Sequence, residues 1–65
     1  MTTAANLLRE MASFVHVDPA LIRNAERANI NETNSAGFCE ILEGWCEGRY
    51  DEDPEYVVDE ISQLL

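Results

Sequence analysis

The sequence predicts an all-α protein: a small bundle of four short helices arranged as two helical hairpins, forming a single domain over residues 1–65. Three observations carry that prediction. Apolar residues recur at helical spacing in four separate segments. Two Asp-Pro pairs, Asp18-Pro19 and Asp53-Pro54, punctuate the chain where helices would start. No alternating strand pattern competes with them. One domain is the ceiling at this length. A chain this small buries only about 60% of the surface it exposes when unfolded, so its core is thin.

The first helix is expected over 3–15. At 100° per residue, Leu7, Leu8, Met11, Phe14 and Val15 fall on one side, extended by Ala4 and Ala12. Asn6, Arg9, Glu10 and Ser13 take the other side. The apolar face is nearly half the circumference, which suits a central helix touching two or more others, or one that also meets a second copy of the chain.

The second helix is expected over 19–29. Asp18 is a preferred N-cap, and proline fits the first helical position because its missing N–H would have no partner there. Leu21, Ile22, Ala25 and Ala28 form a small inner face. Arg23 and Arg27 stand at i,i+4 on the outer face beside Glu26. Residues 30–35, Ile-Asn-Glu-Thr-Asn-Ser, are rich in turn and capping types.

The third helix is expected over 36–47. Phe38, Ile41, Leu42 and Trp45 make a compact apolar stripe, and Phe38 and Trp45 read as core. Gly44 inside it costs up to about 1 kcal/mol relative to alanine, a sign of close approach by a neighbour. Gly48 is a natural residue to end this helix. The fourth helix is expected from 54 to 65. Val57, Val58, Ile61, Leu64 and Leu65 fall within about 120° of one another. Glu55, Asp59, Glu60 and Gln63 face outward.

Charge is the most informative functional feature. The chain has 13 acids, four arginines and no lysine, for a net charge of −9. Residues 1–32 carry four acids and three arginines, whereas residues 33–65 carry nine acids and only Arg49. Phosphate contacts need a basic surface, so this distribution argues against nucleic-acid binding through the C-terminal half. It argues for a basic partner, or for a surface that simply stays solvated.

Glu40, Glu43 and Glu47 follow i, i+3, i+7 on one face of the third helix, opposite Phe38 and Trp45. Asp51 would continue the line, and Asp53, Asp59 and Glu60 follow in the next segments. Carboxylates about 5–6 Å apart on a rigid helix can imitate a row of phosphates. The expected partner is therefore a basic protein, with a nucleic-acid-binding protein as one candidate. The analogy, of size and charge alone, is to small phage-type inhibitors and antirestriction proteins. Tyr50, in a loop between acids, is the candidate anchor, because aromatic residues are enriched at binding hot spots. The partner-binding set is Glu40, Glu43, Glu47, Tyr50, Asp51, Asp53, Asp59 and Glu60.

Other chemistries find little support. An EF-hand loop begun at Asp51 would put Tyr56 at the glycine position and Ser62 at the bidentate position, so the calcium pattern fails. Cys39 and Cys46 lie about 10 Å apart along a helix, beyond disulfide reach. They read as buried or half-buried thiols. His16, the only histidine, lacks a nucleophile with an orienting partner. The expectation is a protein that is not an enzyme and has no cofactor and no metal. No segment approaches the roughly 20 apolar residues of a membrane span, and the N-terminus lacks a basic signal-peptide region. A cytoplasmic location follows as the expectation. The triplet Asn31-Glu32-Thr33 matches a glycosylation acceptor, without meaning in a chain lacking a secretion signal.

A competing reading takes the first two helices as a helix-turn-helix in a homo-oligomeric transcription regulator, with Arg23 and Arg27 on phosphate. Three arginines are few for that role, and the acidic half opposes DNA. A third reading is an assembly component in which the broad face of the first helix seals a subunit contact.

Overall fold

The computed structural model describes residues 2–48 and 53–65. Four helices form within them: α1 (Ala4–Met11), α2 (Pro19–Ala28), α3 (Ala36–Cys46) and α4 (Pro54–Leu64). Every one begins on a side-chain cap that occupies a backbone N–H left without an intrahelical partner. Thr3 Oγ1 accepts from Asn6 N–H at 3.1 Å, and Asp18 Oδ1 from Ala20 N–H at 2.9 Å. Ser35 Oγ accepts from Phe38 N–H at 3.1 Å, and Asp53 Oδ1 from Tyr56 N–H at 3.3 Å. Both prolines sit at the start of their helices, as the Asp-Pro pairs predict.

Two helix ends use the left-handed region. Asn29 closes α2 at φ 52°, its N–H donating to Ala25 O and Glu26 O. Gly48 follows α3 at φ 81°, a conformation that lacks the Cβ penalty only for glycine, and its N–H donates to Trp45 O at 3.0 Å.

The helices form two hairpins, α1 against α2 and α3 against α4, joined where α1 packs on α4. The broad apolar face of α1 thus meets two neighbours. Ala4, Ala5, Leu7, Leu8 and Met11 are all buried there. Phe38 and Ile41 from α3, Val57 and Ile61 from α4, and Ala25 from α2 complete the core with Val17 from the α1–α2 connection. Phe38 is fully buried, while Trp45 lies half-buried at the core's edge.

The first helix ends four residues before the expected point. At this end the Ser13 hydroxyl and N–H both donate to Glu10 O, the hydroxyl at 2.8 Å. Phe14 N–H then bonds Met11 O, tightening the last turn into i→i+3 form. The aspartate before Pro19 disfavours helix as well. This early end rotates the following residues off the helical face. Ala12 is exposed, and Phe14, expected inside, is 54% exposed. Its ring stacks on Trp45, centroids 6.2 Å apart and planes within 7°. Val17, by contrast, is buried. Ala28 at the end of α2 and Leu65 after α4, also expected on inner faces, are exposed.

The turn-rich segment over 30–35 is a built connector. Asn31 is only 4% exposed. Its Nδ2 donates to Asn29 O at 3.1 Å, and its Oδ1 accepts from the Thr33 N–H and hydroxyl. The chain there pairs antiparallel with Thr3, and Ala4 N–H donates to Ile30 O at 2.9 Å. This stitches the start of α1 to the end of α2. Both polar ends of the Asn31 amide are used inside the protein, so the acceptor triplet is a structural turn.

Candidate protein-docking face on α3 and α4

The predicted partner-binding residues separate into groups. Glu40, Glu43 and Glu47 are exposed on α3 and its C-terminal cap, as their spacing predicts. Glu43 and Glu47 stand at the negative end of the α3 dipole, where a carboxylate is disfavoured. Asp53 is exposed, but its carboxylate caps α4. Asp59 is exposed on α4. Tyr50 and Asp51 lie outside the described residues.

Glu60 departs from expectation. It is half-buried rather than facing fully outward, because the α3–α4 seam passes beside it. With Glu40 it lines a groove of about 410 Å³ between the two helices. Ile41, Leu64 and Gly37 form the apolar part of this groove, and Tyr56 and Gln63 line it from α4. A close approach at a glycine occurs here: a Cβ on Gly37 would meet Leu64 Cδ2 at 3.0 Å. The end of α4 thus lies against the bare backbone of α3's first turn.

Among the described residues, neither Glu40 nor Glu60 has a side-chain hydrogen bond or ion pair. The groove therefore brings carboxylates from two helices together beside Ile41, Leu64 and Gly37. Gly37, Tyr56 and Gln63 were not anticipated as site residues. Tyr56, Glu60 and Gln63 do share a helical flank at i, i+4 and i+7. That signal is visible in the sequence, but only the pairing of α3 with α4 makes the flank one wall of a groove.

The arginines sit in the other hairpin. Arg9 on α1 forms an ion pair with Glu26 on α2 and donates to Asn6 Oδ1 at 2.8 Å. Both partners of the pair are about half exposed, so it contributes little to stability. Arg23 and Arg27 are exposed on α2 and have no ion pair among the described residues. The α1–α2 connection spans residues 12–18, longer than the three- or four-residue turn of a helix-turn-helix.

The two thiols differ. Cys39 is half-buried, its Sγ donating to Glu32 O at 2.7 Å, whereas Cys46 is exposed, contrary to expectation. Among the described residues, no three His, Cys, Asp or Glu side chains gather as a metal site. No described helix is long and apolar enough to cross a membrane. Comparison with protein-family models, curated proteins and solved structures gives no match for this chain.

Proposed function

We propose that this chain is a small, non-enzymatic regulator or inhibitor that docks the carboxylate-rich face of α3 and α4 on a basic protein surface. The phosphate-binding surface of a nucleic-acid-binding protein is the kind of partner its chemistry suits. One observation carries the reading: nine of 13 acids fall in residues 33–65, against one arginine, and those on α3 and α4 are largely turned to solvent. Clustered like charges work against the compact state, and Glu43 and Glu47 oppose their own helix dipole. A basic partner would relieve both costs.

The test is affinity capture from native lysate, with and without nuclease, eluted on a salt gradient and repeated with a Glu40→Gln, Glu43→Gln, Glu47→Gln variant. A nuclease-resistant protein partner, released by moderate salt and weakened by the variant, is the expected result. A partner indifferent to both salt and the three substitutions would remove the acidic face from the account.

The exposed pair Arg23 and Arg27 supports a second reading, a homo-oligomeric helix-turn-helix-like DNA-binding regulator. A gel shift separates the two. Duplex binding by this protein alone, lost in Arg23→Ala, Arg27→Ala, would favour the second.

A further inference from the structure

We propose that the α3–α4 groove is the seat for one arginine side chain of the protein partner, its guanidinium held between Glu40 and Glu60. The proposal rests on the acidic-face reading and names the point where that face engages. Three features of the groove select arginine.

The first is the floor. Half-buried Leu64 offers apolar surface beside buried Ile41, and Gly37 adds no side chain to the groove. A long aliphatic stem packs on such a floor while its charged head stays at the rim. A volume of about 410 Å³ accommodates a side chain of that kind and lies near the low end of ligand sites, about 300–1,000 Å³.

The second is the rim. Glu40 and Glu60 come from different helices, and neither carboxylate is engaged by another described side chain. A guanidinium presents five donors in a planar fork, so it can serve carboxylates on two walls at once. A lysine ammonium is a compact, strongly hydrated point charge and matches two separated acceptors less well. Gln63 adds an amide oxygen on the α4 wall.

The third is Tyr56, 49% exposed and lining the same groove. A guanidinium stacks on an aromatic face more readily than an ammonium does. Nucleic acid is disfavoured as the occupant, because its phosphates would face two carboxylates.

The experiment is a ¹⁵N amide-shift titration of the full chain with a short alanine-based peptide carrying a single arginine, and with its lysine twin. The arginine peptide is expected to give saturable shifts confined to Gly37, Ile41, Tyr56, Gln63 and their neighbours. It should bind at least about tenfold tighter than the lysine twin. Glu40→Gln with Glu60→Gln should weaken it by about tenfold or more, and Glu43→Gln with Glu47→Gln by less than about twofold. Neither pair holds a core position, and thermal unfolding of each variant checks that the fold is retained.

Equal losses from the two pairs, or equal affinity for the two peptides, would mean a diffuse charge field. The seat would then be wrong while the acidic face stood. Absence of any saturable shift would also overturn the seat, and the lysate capture would decide the acidic face independently. Shifts centred on α2 would overturn the seat by placing the contact elsewhere.

Discussion

Replacing Asn31 with alanine is expected to destabilise the protein by about 1–2 kcal/mol, and replacing it with aspartate by more. The side chain makes three hydrogen bonds: Nδ2 to Asn29 O, and Oδ1 from the Thr33 N–H and hydroxyl. At about 0.5–1.5 kcal/mol each, their full loss would reach roughly 3 kcal/mol. Two features reduce that. Thr33 is exposed and can turn to water, and Asn29 O keeps a second donor, Asn34 Nδ2, at 2.8 Å. Alanine therefore loses the bonds while leaving few groups buried without partners.

Aspartate keeps the two acceptor contacts but replaces Nδ2 by a second oxygen facing Asn29 O. It also adds a charge at a position only 4% exposed in a chain already at −9. Burial and the facing carbonyl raise the folded-state pKa of that carboxyl above its unfolded value. The aspartate variant is then best off below the unfolded pKa of about 3.9, and loses stability as pH rises through the folded pKa. Urea unfolding followed by Trp45 fluorescence and circular dichroism, near pH 4 and near pH 7, gives both differences at unchanged m. For a domain of this size each 1 kcal/mol is about 4–8 °C in Tm. An aspartate variant as stable as the alanine one at neutral pH, or one whose deficit does not shrink in acid, would refute the reasoning.

Three further outcomes are expected. Ser35→Ala should cost about 1 kcal/mol, since it removes the α3 cap on Phe38 N–H; a Tm within error of the parent would show the cap to be idle. Phe14→Ala should cost about 0.5–1.5 kcal/mol and shift Trp45 emission to the red, because the stacked ring shields a half-buried indole; unchanged emission would contradict the stacking. A thiol reagent should modify exposed Cys46 well before Cys39, which is half-buried and bonded to Glu32 O; mass mapping of the first adduct decides it.

Much of this protein is set locally and was legible for that reason. A helix start depends on a cap and the three residues after it, so both Asp-Pro pairs and the turn-rich stretch before Ala36 marked their helices correctly. Apolar spacing depends only on the helical period, and it placed Leu7, Leu8, Met11, Phe38, Ile41, Val57 and Ile61 inside. Charge asymmetry needs no structure at all. The end of α1 was less accessible, because a serine back-bond such as that of Ser13 to Glu10 O occurs both within helices and at their ends.

Tertiary structure alone decided the rest. Asn31 is buried where the chain pairs with Thr3, far away in sequence. Phe14, in the α1–α2 connection, stacks on Trp45 of α3 instead of entering the core. The outward acids look equivalent when each helix is drawn by itself. Only the seam between α3 and α4 separates Glu40 and Glu60, which share a groove with Tyr56, from Glu43 and Asp59, which point to open solvent. A helical period fixes which residues of one helix share a face, but the neighbour that covers the edge of that face comes from contacts distant along the chain.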